Sequence, residues 1–325
     1  MPEPTPARAL SQALLALTRL ADQARPQDLL PQAVQVLRAL VPFDSAWWGQ
    51  MSAGKGAAGP RNWLHGSVGL SQDFAQEWGA LAAVDVFGLQ SMARLGQVLR
   101  ERDVIGLLPD PPEMQAFAER HGLHHCMALT VELPHSGLLF FVSVYRSAQR
   151  PEFSDADTVL FGEFVQHLVL HWQLRLQRLQ QADTHRPWDG FALAAPTGQL
   201  LFAGLRISLA LGAACPDWAG THLPAELVQA FDRVPCSVKL GKACRLRLAP
   251  CGTLIALSLA TGSHKPPLAP RELGVALLYA EGHAYKAIAA QLGLTPATVR
   301  TYLRTAYAEL GVRNKLELVA ALRAG

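Results

Sequence analysis

Apolar positions recur at three- and four-residue steps over residues 7–24 and 27–40, a spacing that predicts two amphipathic helices. Alternation then takes over, predicting strands at Phe43–Met51 and Asn62–Val68 joined by a Gly-rich loop. A helix near Gln72–Ala83 follows, then an irregular stretch to about residue 112 and a helix at Glu113–Arg120 that stops at Gly122. Leu123–Leu133 and Leu138–Arg146 read as a hairpin around Pro134-His135-Ser136-Gly137. The next helix, Asp155–Gln181, repeats Phe161, Val165, Leu168, Trp172, Leu176 and Leu179 along one seam. Its early half is expected to pack internally; its later half either does the same or pairs two copies as a short coiled-coil stalk. Beyond it come short strands at Phe191–Ala195 and Gln199–Phe202 and a helix at Leu205–Leu211. Strands at Ser237–Leu240, Cys244–Leu248 and Leu254–Leu259 follow, with a hairpin turn at Cys251-Gly252.

The pattern changes after the Pro-rich linker Lys265-Pro266-Pro267, which reads as semi-rigid punctuation. Residues 268–325 predict four short helices in a row. The first opens at Ala269-Pro270 and stops at Gly282, and the second, Ala284–Leu292, ends at Gly293. Thr295 then caps a third helix that begins at Pro296, and this tight connection is the signature of a helix-turn-helix. At about 100° per residue, Val299, Leu303, Ala306 and Leu310 share a core stripe. Arg300, Thr301, Arg304 and Thr305 fall opposite, among the small Ala297 and Ala308. Arginines can form bidentate hydrogen bonds to guanine, and threonines can meet phosphate or a thymine methyl. The alternative for this face is a plain solvated surface. Charge favours DNA: residues 1–267 hold 22 basic and 22 acidic side chains, whereas 268–325 hold 7 and 4, so the net +3 sits in the last segment.

This segment resembles the LuxR/GerE type of helix-turn-helix. The matching residues are Leu268, Arg271-Glu272, Ala280-Glu281-Gly282, Lys286, Ile288-Ala289, Leu292-Gly293-Leu294-Thr295, Thr298-Val299-Arg300 and Leu310-Gly311-Val312-Arg313-Asn314-Lys315. The resemblance implies backbone contacts from Lys286, Thr298 and Lys315 and base contacts from Arg300, Thr301 and Arg304. With Thr295 and Thr305 these form the expected DNA-binding set on a pseudo-palindromic operator. It also implies dimerisation through the last helix, at Leu318, Val319 and Leu322. The order of elements in residues 1–181 resembles GAF-like sensor domains, including the signal-binding half of quorum-sensing LuxR proteins, and five strands with a helix or two in 182–265 resemble a PAS-like sheet. The expected fold is thus α+β and multidomain. It comprises a GAF-like α/β/α sensor with a long exit helix (1–181), a small PAS-like domain and linker (182–265), and a four-helix DNA module (266–325).

Aromatic residues are dense in the sensor segment. Phe74 and Trp78 stand four apart on one helix face, with Asp85 shortly after. Quorum-sensing sensors place two aromatics at this spacing before an Asp that holds the ligand amide. On that alignment Ser143 lines the pocket, and Trp48, Trp63, Phe74, Trp78, Asp85 and Ser143 form the candidate ligand site. This sequence departs from the pattern at Val86, where Pro is usual, and at Arg100, where a ligand-binding Trp would sit. The alternative is an aromatic core in which Asp85 only caps a turn or helix.

Other chemistries find little support. No apolar run approaches the ~18 residues of a membrane span, and the Pro-rich start is not a secretion signal. Five cysteines without a Cys-x-x-Cys suit reduced thiols in a cytoplasm. His124-His125-Cys126 looks like a metal fragment, but strand alternation would turn His125 away. Gly54-Lys55-Gly56-Ala57-Ala58-Gly59 spells a dinucleotide motif, yet Pro60 and the strand-like residues after it indicate a hairpin where that fold needs a helix. The near phosphate loop Gly49–Lys55 has Gly56 where a Ser or Thr should bind magnesium. Lys242, Arg245 and Arg247 read as a solvated strand face. No nucleophile–base pair suggests an enzyme, and no receiver-like repeat suggests a response regulator. The expectation is a cytoplasmic, homodimeric transcriptional regulator without cofactor or metal, controlled by a small-molecule effector and able to meet RNA polymerase. The alternative is a regulator whose N-terminal domains bind only a partner protein.

Overall fold

The structure, a computed structural model, describes residues 5–54, 59–101, 111–180, 188–241, 244–259, 268, 270–310, 312 and 314–324. They divide into two compact units, Met1–Leu259 and Ala260–Gly325. Among the described residues no helix is long and apolar enough to cross a membrane.

The first unit opens with helices α1 (Pro6–Gln23) and α2 (Leu29–Leu40), then strands β1 (Ser45–Ser52) and β2 (Arg61–Val68). Helices α3 (Phe74–Leu81) and α4 (Val86–Ala93), strand β3 (Val98–Arg100) and helix α5 (Pro112–His121) follow. The hairpin β4 (His125–Leu133) and β5 (Leu138–Arg146) leads into α6 (Asp155–Gln180). The strands form one antiparallel sheet in the order β2-β1-β5-β4-β3. Helix α4 and strand β3 occupy part of the stretch that the sequence predicted to be irregular. Eight residues interrupted by Gly88, and three residues of strand, are too short to show a period.

The sheet is covered on both faces, which gives the expected α/β/α layering. On one face α1, α2 and α6 bury Leu17, Leu37, Phe161 and Phe164 against Trp48, Phe140 and Val142. On the other, Phe74, Trp78 and Phe117 of α3 and α5 meet Trp47, Phe141 and Tyr145.

A second antiparallel sheet follows α6. It consists of β6 (Phe191–Ala194), β7 (Leu200–Ala203), β8 (Cys236–Leu240), β9 (Cys244–Cys251) and β10 (Leu254–Leu259), with α7 (Leu205–Ala214) and the one-turn α8 (Ala225–Val228) between β7 and β8. Its order, β7-β6-β10-β9-β8, repeats that of the first sheet. On β9, Arg245 and Arg247 are exposed while Leu246 and Leu248 are buried, a half-solvated strand as expected. Lys242, the linker Lys265-Pro266-Pro267 and residues 55–58 of the glycine loop lie outside the described residues.

The two sheets share a core. Phe161, Val165, Leu168, Trp172 and Leu176 of α6 are buried in one cluster that continues through Phe191, Leu193, Phe202 and Leu254. The later half of the α6 seam is therefore interior, not a stalk between copies. Helical periodicity reveals an apolar stripe but not its cover; here the second sheet supplies it. A buried side chain ties the two sheets across this seam. The buried Gln50 of β1 donates from Nε2 to the carbonyl of Leu201 at 3.2 Å and accepts from the amide of Ala203 at 3.3 Å, both on β7.

The second unit is helical: α9 (Pro270–Ala280), α10 (Tyr285–Leu292), α11 (Pro296–Glu309) and α12 (Lys315–Ala324). Val275, Ile288, Val299, Leu303 and Leu318 form its core. Leu318, expected at a dimer surface, is fully buried there, and Leu322 packs against the same cluster. A module this small has few apolar positions, and its own core takes both.

Candidate functional site

A cavity of about 460 Å³ lies between the sheet and helices α3, α4 and α5 of the first unit. Its wall brings together Phe74, Trp78, Asp85 and Ser143, four of the six residues expected at a ligand site. Strand alternation explains the fate of Trp48. Adjacent β1 residues point to opposite faces, so Trp47 lines the cavity while Trp48 packs behind the sheet. Trp63 is also elsewhere. The β1–β2 pairing runs from Gln50↔Leu64 to Met51↔Asn62 and skips Trp63, leaving it as the extra residue of a bulge. Bulges re-aim side chains; Trp63 joins the second core beside Trp218 and donates its Nε1–H to Ser52 Oγ at 3.1 Å.

Trp47 is the residue that sequence reasoning missed. It is 4% exposed and touches Phe74, Trp78 and Phe141 edge-on, at centroid distances of 5.1, 4.9 and 4.8 Å. The signal was the Trp47-Trp48 pair itself, of which only one member can face any given side.

Asp85 has a definite structural task. Its Oδ1 accepts the amide of Gly88 at 2.8 Å, which caps α4, and its Oδ2 accepts the Trp78 indole N–H at 2.8 Å. The cap reading and the cavity reading of Asp85 thus describe one residue. Nearby, the hydroxyls of Ser91 and Thr130 pair at 2.7 Å. Burial raises the Tyr145 phenol well above its ordinary value, Cys126 and Asp85 push the same way, and a hydrogen bond with Ser143 only partly offsets them. The phenol therefore stays neutral. His124, His125 and Cys126 line a separate small cavity with Arg100. Among the described residues, no cluster of three or more His, Cys, Asp or Glu could hold a metal.

In the second unit, α10, the turn and α11 assemble from local signals. Gly293 ends α10 in the left-handed region at φ 64°, and the amide of Leu294 closes back on the Ala289 carbonyl at 2.8 Å. Thr295 Oγ1 then accepts the amide of Thr298 at 3.1 Å, and Pro296 occupies the first turn of α11. Val299, Leu303 and Ala306 are buried; Lys286, Thr295, Arg300, Thr301, Arg304 and Lys315 are exposed, while Thr298 and Thr305 are half-buried. The threonine hydroxyls are held close to the helix: Thr301 donates to the Ala297 carbonyl and Thr305 to that of Thr301, each at 3.2 Å. Two tyrosines were not foreseen here. Tyr279 and Tyr285 stack at 5.4 Å, with Lys315 Nζ 4.7 Å from the first ring and Arg300 Cζ 5.9 Å from the second. Two of the exposed cations thus rest on aromatic faces.

Residues 266–322 match the GerE family, described as bacterial regulatory proteins of the luxR family. The transcriptional regulatory protein UhpA of Escherichia coli (strain K12) is 47% identical over 64 residues, which cover 20% of this chain and 32% of that protein. The response regulator RamR of Streptomyces coelicolor is 43% identical over 53 residues, covering 16% of this chain and 26% of RamR. The chain thus spans about a third or less of the length of these curated relatives. Escherichia coli SdiA is similar in solved form at a TM-score of 0.43 and 14% identity, with 97% of this chain and 96% of that one covered.

Proposed function

With a luxR-family helix-turn-helix at its C-terminus, we propose that this chain is a DNA-binding transcriptional regulator controlled by a small molecule held in its first unit. The observation that carries the DNA reading is the face of α11. Arg300, Thr301 and Arg304 are exposed on one side while Val299, Leu303 and Ala306 are buried on the other. In this reading Arg304 and Thr301 meet base edges, with Arg300 beside them. Lys286, Thr298 and Lys315 hold the phosphate backbone, with Thr295 and Thr305 alongside.

Control by a small molecule is supported by the 460 Å³ cavity, a volume within the ~300–1,000 Å³ range of ligand pockets. A regulator working only through a partner protein would have its interior filled at this position. The sensor, the second sheet and the DNA module correspond in this reading to segments 1–181, 182–265 and 266–325. The working form is a homodimer on a two-fold site. The deciding experiment is selection of genomic fragments by the full-length protein, followed by footprinting. Protection of paired half-sites is the expected result, and retention of DNA no better than by a chain lacking residues 266–325 would refute the DNA reading.

A further inference from the structure

Charge is unevenly spread along this chain, and the change of sign does not fall at the linker. Acidic residues stop at Asp232 and resume only at Glu272. Residues 1–232 hold 16 basic and 22 acidic side chains, whereas 233–325 hold 13 and 4, so the net charge passes from −6 to +9 just before β8. The basic excess that marks the helix-turn-helix therefore begins inside the first unit, in the last strands of the second sheet.

Strand register gathers these cations on one face. Lys239 stands directly opposite Arg245, and Ser237 opposite Arg247, all four exposed. Leu240, Leu246 and Leu248 turn the other way, into the core with Ile207 and Leu211 of α7. Across the sheet Arg247 is followed by Ser258 and Phe191, both buried, so the cover on this face reaches β10 and leaves β9 and β8 bare. Like charges set directly opposite each other in a ladder are destabilising. Among the described residues, no acidic side chain forms an ion pair with any of the three cations. The sequence that adjoins them, residues 242–243 and 260–267, adds Lys242 and Lys265 and no acid. A lysine on an edge strand can serve simply to keep that edge from pairing with another chain. That accounts for Lys239 on β8, but Arg245 and Arg247 stand on β9, which is paired on both sides.

The partner that such a face fits is a polyanion of repeating charge. The luxR-family match begins at residue 266, seven residues beyond the end of β10. On the reading above that this module binds DNA, a duplex held by α11 is tethered to the same chain as the basic face, which raises its effective concentration there. We infer that the β8–β9 face is a second DNA contact, in which Lys239, Arg245 and Arg247 hold phosphates of the duplex whose bases α11 reads. Contacts of this kind add affinity and carry no sequence preference.

The test uses the full-length chain and the genomic fragments it selects. Lys239→Gln, Arg245→Gln and Arg247→Gln, singly and together, change exposed positions only. The dependence of log Kobs on log salt should flatten by about 0.9 per subunit for each single change and by about 2.7 for the triple variant. The ratio of selected to scrambled DNA should stay as in the wild type. Ethylation interference locates the contacts: phosphates whose ethylation weakens wild-type binding should cease to matter to the triple variant. The single variants keep the measurement informative should the triple one fold poorly. An unchanged salt slope overturns the inference and leaves the face as solvated strand. A flatter slope with every interfering phosphate retained overturns it too, because loss of net charge then explains the effect without contact. Failure of the wild-type chain to bind DNA overturns it in a different way, by removing the DNA reading on which it rests.

Discussion

Replacing Asp85 with Ala removes two hydrogen bonds with separable costs. Loss of the α4 cap should cost about 1 kcal/mol, within the ~0.5–2 range of capping residues. The second loss strands the indole N–H of Trp78, which is 5% exposed, and an unsatisfied buried donor adds about 1–3 kcal/mol. The expected total is about 2–4 kcal/mol. Asp85→Asn keeps one carbonyl oxygen for one of the two donors and should lose about 1–2 kcal/mol. Urea unfolding followed by tryptophan fluorescence suits the measurement, because all seven tryptophans, the last at position 218, precede the DNA module. The signal reports the first unit alone and avoids treating two units as one transition. A double-mutant cycle isolates the indole contribution: with Trp78→Phe as background, Asp85→Ala should cost only the cap, about 1 kcal/mol. If Asp85→Ala costs under about 1 kcal/mol in the wild-type background, or if the cycle shows no coupling, the carboxylate does not pin Trp78 and the reasoning fails.

On DNA, Arg304→Ala should lose selectivity at one base pair per half-site, about 1–3 kcal/mol. Lys286→Ala should weaken binding to every sequence alike and lower the salt slope by about one per subunit; competition gel shifts at several salt concentrations distinguish the two. Trp172→Ala should destabilise the first unit by about 3–5 kcal/mol, and Leu176→Lys should unfold it; sedimentation showing a folded, dissociated monomer instead would restore the stalk. Burial holds the His65 imidazole below its ordinary 6.5, so below that pH the unfolded chain takes up a proton that the native chain does not. Stability of the first unit should therefore be full above pH 6.5 and fall as pH drops through the depressed native value, and His65→Gln should flatten that slope in urea titrations. In α9, a Cβ at Gly274 would meet only Leu292 Cδ1 at 4.0 Å, so Gly274→Ala should raise the stability of the DNA module by about 0.5–1 kcal/mol, measured by circular dichroism on the full chain.

The DNA module was the most legible part of the sequence, because its signals are local. Gly293, Thr295 and Pro296 act within a few residues of where they stand, and the stripe of Val299, Leu303 and Ala306 follows from one helix's own period. The cavity was half legible. Phe74 and Trp78 share a helix face and Asp85 follows closely, so their meeting could be foreseen. Trp63 could not be placed, since a bulge of one residue leaves no mark in the alternation it interrupts. Trp48 was chosen over Trp47 although a strand sends the pair to opposite sides, and only the packing of α3 and α5 decides which side holds the cavity. Helix α4 was not legible because an Asp that can cap is compatible with a turn as well as a helix, and the eight residues after Asp85, with Gly88 among them, are too short to show a period. The inward turn of the α6 seam depended on Phe191, Leu193, Phe202 and Leu254, which come later in the chain and belong to another sheet. Contacts of that separation have no local signature.

The seam crossed by Gln50 has a bearing on how such a chain can change over generations. Modules that meet through a polar linker can be exchanged by recombination, each bringing its own core intact. Here one side chain of β1 is hydrogen-bonded to two main-chain groups of β7, and the tryptophan of α6 nearest that seam belongs to the core that both sheets fill. A cut near residue 181 would leave Trp172 and Leu176 facing water and Gln50 without its two backbone partners. The two sheets should therefore be inherited as one piece. A substitution on either side of the seam is filtered by the other, so variation should accumulate in matched pairs across it.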